Sequence, residues 1–177
     1  VLHFGSISLI ESPAQESTKK AVEMARANKM LVSYDPNVRI SLWPSKETCR
    51  KTILNTLSWA DVVKINEDEL EFLTGSRDTS AAEKLREEHN VPLLIITLDS
   101  RGAYFVTKHG GKQVPGFQVE LVEATGAGDG FNSGVIAGLL PLIKGKADKR
   151  EALLALEQTK LFEIIQAANA IGAITCT

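Results

Sequence analysis

Only two cysteines, Cys49 and Cys176, occur in 177 residues, too few and too far apart for a disulfide framework or a zinc site. Free thiols in a reducing cytoplasmic setting are the expectation. An excess of charge is also lacking: 20 Lys and Arg stand against 22 Asp and Glu, for a formal net charge of −2, with no long basic run. That leaves no footprint for nucleic acid or an anionic membrane surface. No apolar stretch approaches the roughly 20 residues that cross a bilayer, and no signal peptide is visible at Val1. His3, His89 and His109 are scattered, none beside a candidate nucleophile, and they are assigned no chemistry. No internal repeat or low-complexity segment stands out.

What is present is a chain 44% hydrophobic, enough for one α/β domain over residues 1–177 with a substantial core. A strand opens at Leu2, and Ser12-Pro13 with Gln15 resembles a capping box that starts a helix running to about Asn28. Strand and helix alternate from there. A helix over about 45–58 precedes a strand at 61–65, and one over about 80–89 precedes a strand at 93–98. That order predicts a mostly parallel sheet covered on both faces. A hairpin around His109-Gly110-Gly111-Lys112 interrupts the alternation before helices at about 130–140, from Asp148, and over 161–173.

The stretch richest in chemistry is Glu123-Ala-Thr-Gly-Ala-Gly-Asp-Gly-Phe-Asn-Ser-Gly134, a glycine-rich turn that places Asp129 at the mouth of a helix. Small residues at Gly126, Ala127 and Gly128 let the backbone approach a ligand, with amides that lack intrahelical partners. Together with the helix dipole they form an anion cradle, and Asp129 supplies a base beside it. A Walker loop is excluded because no Gly-Lys-Ser/Thr follows. A dinucleotide fingerprint is excluded because Phe131 stands where a third glycine is needed.

Residues 125–134 resemble the C-terminal signature of the ribokinase-like (PfkB) sugar kinases. The resemblance implies a three-layer αβα sandwich with a mostly parallel central sheet. It implies that Asp129 deprotonates a sugar hydroxyl while Gly126, Ala127 and Gly128 form an anion hole for the transferred phosphoryl. ATP and Mg2+ are the implied cofactors. Asp61-Val-Val-Lys-Ile-Asn-Glu-Asp-Glu-Leu resembles the family's Asn-x-x-Glu motif, carried by Asn66 and Glu69. Their counterparts organise magnesium and its waters near the nucleotide, which places Lys64 and Asn66 on the nucleotide side and Glu69 at the metal. Taken alone, the same letters describe a capped helix with a solvated acidic face.

Thr97 and Gly102 match a family Thr-x-Gly-x-x-Gly pattern and, with Ser100 between them, would border the ribose and phosphates. Asp99 replaces a glycine there, which aspartate tolerates better than most residues because it visits the left-handed region. Arg101 reads as a solvated charge. Asn169, in a small and apolar helix face, resembles the residue lining the adenine pocket; adenine or a main-chain carbonyl would satisfy its amide. The Asp-Thr that usually heads the signature is Glu123-Ala124 here, so a potassium requirement is not carried over.

Ser33-Tyr-Asp-Pro-Asn-Val-Arg-Ile-Ser-Leu-Trp-Pro resembles the fructokinase branch, with Asp35 and Arg39 toward the substrate. Arg39 offers a planar fork for phosphate or a substrate acid, or sits solvated beside a Pro-Asn turn. The 2-keto-3-deoxygluconate kinases share Asn-x-Arg…Leu-Trp, usually without the proline, so Pro36 favours fructose. The chain opens on a strand without methionine and closes at Thr175-Cys-Thr, and is read as truncated at both ends. The resemblance then implies that the first sheet strands, the sugar-gripping Gly-Gly motif and a β lid, with any homodimer made through it, lie outside this chain.

Overall fold

The computed structural model describes all 177 residues. Six strands form one sheet in the order β1 (Leu2–Gly5), β2 (Val32–Asp35), β3 (Val62–Asn66), β4 (Leu93–Thr97), β5 (Ala103–Thr107) and β6 (Gly110–Val114). The first four are parallel, and β5 and β6 return antiparallel through the expected hairpin. Because each strand is laid down beside its predecessor, right-handed crossovers put the intervening helices on one face. These are α1 (Ala14–Ala27), α2 (Lys46–Leu57), α3 (Glu67–Thr74) and α4 (Thr79–Glu88). The opposite face is covered by α5 (Ala127–Ile143), α6 (Lys149–Leu154) and α7 (Gln158–Thr175).

Strands β3 and β4 are buried on both sides, which is why they read as largely apolar runs without alternation. Adjacent residues nevertheless go to different cores. Val63, Ile65, Leu94 and Ile96 pack with Ile53, Leu57, Leu70 and Leu85, while Val62, Leu93, Ile95 and Phe105 pack with Phe131, Val135, Leu139 and Ile165. The two-residue period thereby aims Asp35 and Lys64, on β2 and β3, at the α5 side.

At the opposite end of the sheet, Asp61 is fully buried and joins the two helical layers. Its carboxylate accepts from Arg26 of α1 at 3.0 Å, Arg150 of α6 at 2.6 Å and the N–H of Val32 at 2.8 Å.

Three sequence expectations are corrected. Ser12 does not cap α1: Pro13 occupies that position, and the Ser12 hydroxyl donates to Glu16 instead. The signature helix starts at Ala127, three residues before the expected Gly130, because Gly126 takes the left-handed conformation (φ 86°) and serves as its N-cap. The last helix begins at Gln158.

The glycines inside α5 have packing reasons. A Cβ on Gly134 would lie 2.8 Å from Ala168 Cα, and one on Gly138 would lie 2.7 Å from Ile164 Cγ2, so α7 sits almost backbone to backbone on α5. No helix is long and apolar enough to cross a membrane.

Candidate active site

Parallel register brings Gly5, Asp35, Asn66 and Thr97 to the carboxyl end of the sheet, where ligands collect in open α/β folds. The first turn of α5 lies over that end. Of its leading amides, the N–H of Ala127 is bonded to Ala124 O at 3.2 Å, whereas those of Gly126, Gly128 and Asp129 have no main-chain acceptor. Of the three amides expected in the anion cradle, those of Gly126 and Gly128 are free and that of Ala127 is bonded, and the amide of Asp129 is free beside them. Asp129 is exposed, its carboxylate in no salt bridge, and its carbonyl accepts the Ser133 hydroxyl at 2.8 Å. Three donors and a helix dipole beside an open carboxylate can stabilise a transferred phosphoryl and accept a proton.

Asp35, expected to meet the substrate, is committed to the protein interior. It is 5% exposed, its Oδ2 accepts Lys64 Nζ at 3.1 Å and Asn132 Nδ2 at 2.7 Å, and its Oδ1 accepts the N–H of Asn37 at 3.1 Å. Lys64, expected on the nucleotide, spends its ammonium on that pair. Arg39 is exposed and holds only the carbonyl of Val38, at 3.3 Å, so of the three residues expected at the substrate Arg39 and Asp129 face solvent and Asp35 does not.

Asn66 caps α3 and completes a capping box: its side chain accepts the N–H of Glu69 at 2.8 Å while Glu69 Oε2 accepts the N–H of Asn66 at 2.9 Å. The other oxygen of Glu69 accepts the N–H of Val38 at 2.7 Å. Burial, more than any neighbour, raises the Glu69 carboxyl above the ordinary glutamate range, and the two N–H bonds oppose that rise. Both oxygens are therefore occupied, and no group of three or more His, Cys, Asp or Glu is placed to hold an ion. These side chains do not fit an inner-sphere magnesium site.

Around the expected nucleotide loop, Asp99 does take the left-handed conformation (φ 51°), and Arg101 pairs with the Glu67 carboxylate instead of standing free. Gly102 (φ 94°) is needed where residues 114–116 cross it, since a Cβ would lie 2.2 Å from Val114 O. That close crossing is a packing reason for glycine at this position. Thr97 touches Ile65 O at 3.5 Å, and Ser100 is exposed. Asn169 takes the main-chain alternative, donating to Pro115 O at 3.0 Å and Val114 O at 3.4 Å.

Asn132 is the residue that motif reading passed over. It lies one turn after Asp129 on the buried side of α5, and a polar residue among small and apolar helix neighbours was the available signal.

This arrangement sets free helix amides and an unpaired carboxylate at the carboxyl ends of parallel strands in an α/β fold. Solved sugar kinases share that fold. Fructokinase from Vibrio cholerae O395, in its fructose-, ADP- and potassium-bound form, superposes with a TM-score of 0.83 at 31% identity, covering 99% of this chain and 54% of that one. Aminoimidazole riboside kinase from Salmonella enterica gives 0.81 at 29% identity over 99% and 55%. The family model for pfkB family carbohydrate kinase matches residues 1–177, and the chain belongs to that family. It falls in the fructokinase branch. Fructokinase-1 from Zea mays is 41% identical and probable fructokinase-4 from Arabidopsis thaliana 40% identical, each over 100% of this chain and 52% of the relative. The chain thus spans about half the length of the curated relatives it matches.

Proposed function

We propose that the protein transfers the terminal phosphoryl group of ATP to a hydroxyl of a ketose, fructose being the first choice and the 6-hydroxyl the acceptor. The observation that carries this is the pairing of the unbonded N–H groups of Gly126, Gly128 and Asp129 with the exposed, unpaired Asp129 carboxylate. An alcohol is a poor nucleophile at neutral pH, so a carboxylate within reach must take its proton as attack proceeds. Phosphoryl transfer otherwise asks for alignment and charge stabilisation, which fixed amides at a helix N-terminus supply without reorganising. The side chains of this chain provide no direct metal site, and no step is assigned to one.

Fructose is favoured by the Asp35-Pro36-Asn37-Val38-Arg39 segment and by the fructokinases among the relatives. Arg39 is the free cation at that edge, the group available to a substrate oxygen. Half of each relative's length has no counterpart in residues 1–177, and placement of the hydroxyl is what those parts would supply. Turnover by this chain alone is accordingly expected to be weak. The test is ATP-dependent phosphorylation across fructose, 2-keto-3-deoxygluconate and a riboside. Selective turnover of fructose supports the reading, and preference for the riboside or the sugar acid overturns the acceptor.

A further inference from the structure

Two motifs remote in sequence meet beneath the α5 N-terminus, and the catalytic reading does not use the contact. Lys64 Nζ is buried, with Asp35 Oδ2 at 3.1 Å, and it occupies the space that a side chain at position 128 would need: a Cβ on Gly128 would lie 3.1 Å from Nζ. The first turn of α5 therefore rests on the ammonium group. One turn along, Asn132 Nδ2 donates to the same Asp35 oxygen at 2.7 Å. The remaining Asp35 oxygen holds the N–H of Asn37, which sits in the left-handed region (φ 44°). Asp35, Lys64 and Asn132 are 5%, 8% and 7% exposed, so water replaces none of these contacts cheaply.

We propose that Lys64, through Asp35, is the positioning residue that fixes the α5 N-terminal turn against β2 and β3 and couples it to the 36–39 loop. The proposal rests on the kinase reading, because it makes the height of the Gly126, Gly128 and Asp129 amides and of the Asp129 carboxylate depend on this anchor. Lys64 makes its side-chain bond to Asp35 and none to Asp129. Glycine at 128 is then required by the seat of the lysine as well as by any ligand. An unanchored turn misplaces the base, and a displacement of about 1 Å costs on the order of 10²-fold in rate.

The test uses two independent readouts on Lys64→Met and on Asn132→Leu, the latter removing the second anchor while leaving the Lys64–Asp35 pair. Hydrogen exchange needs no turnover. The hydrogen-bonded amides of Ala127 and Gly130 and those of residues 131–132 should exchange roughly tenfold faster in both variants, with α7 and β4 unchanged. Kinetically, kcat should fall on the order of 10²-fold with KM for ATP nearly constant, and Lys64→Met should add little to Asp129→Asn, since both act through the same carboxylate.

Unchanged exchange at Ala127 and at residues 130–132 overturns the anchor. A rise in KM for ATP with kcat intact overturns it too, and returns Lys64 to the nucleotide. Should Lys64→Met fail to fold, the exchange pattern of Asn132→Leu decides by itself. Should the wild-type protein show no measurable turnover, the exchange result still judges the anchor, independently of the kinase reading.

Discussion

Glu69 Oε1 accepts the main-chain N–H of Val38 at 2.7 Å, joining two segments 31 positions apart that the sequence presents as separate motifs. The same carboxylate caps α3, so the loop after β2 and the helix after β3 share one buried acid. Burial raises that acid above its ordinary 4.5. The folded chain then binds the proton more tightly than the unfolded one, so the contribution of Glu69 to stability is full below the unfolded value and is lost as pH rises through the folded one. Glu69→Gln cannot ionise. Its stability relative to wild type should improve as pH goes from about 4 to about 7, and a difference that stays flat across urea titrations in that range would contradict the raised value.

Asp61 is the only acid reached by Arg26 and Arg150, which come from opposite helical layers. Asp61→Ala should cost about 3–5 kcal/mol, because it strands two partly buried guanidinium groups and the N–H of Val32. Urea unfolding measures this, and a loss under about 1 kcal/mol would mean that the cluster behaves as a surface pair.

In an exposed helix, replacing a central glycine by alanine gains about 1 kcal/mol. Gly134→Ala should instead destabilise by about 1–3 kcal/mol, since its Cβ would lie 2.8 Å from the main chain at Ala168. A raised melting temperature for this variant would show that α5 and α7 are less tightly apposed.

Burial, with a smaller push from Glu69, moves the Cys49 thiol up to about 11. Cys176 is half-buried and near the chain end. An aromatic disulfide reagent should therefore titrate one thiol in the native protein and the second only in denaturant, because the thiolate is the reacting form. Two fast equivalents would mean that the α2 face opens readily.

Asp129→Asn should lower kcat by about 10²–10⁴, the usual size of a positioned base, and leave the unfolding midpoint unchanged, because the side chain is exposed and unpaired. Full activity in this variant would remove the base from the scheme.

The alternation of strands and helices was legible because buried parallel strands leave apolar runs of four or five residues between amphipathic stretches. The start of α5 was not, since any of the glycines at 126, 128 or 130 could end the turn and only the backbone shows Gly126 in the left-handed state. The motif at 125–134 pointed to the cradle, but which amides are free depends on the turn closed between Ala124 and Ala127. Asp35 ends β2 and Lys64 lies in the middle of β3, and their mutual pairing across 29 positions follows from sheet register, which no local pattern encodes. Gly102 and Asn169 are expected at a ligand on motif position, and both also meet the crossing of residues 114–116, which no local pattern shows.

Strand β1 ends the sheet, with one main-chain edge bonded to β2 and the other joined to no strand. Such a ribbon of peptide groups is a template onto which another chain can add. Handled as an isolated polypeptide at high concentration, residues 1–177 will tend to stack edge to edge. Shelf life in solution then depends on the two edges of the sheet, β1 and β6, as well as on how well the interior is packed.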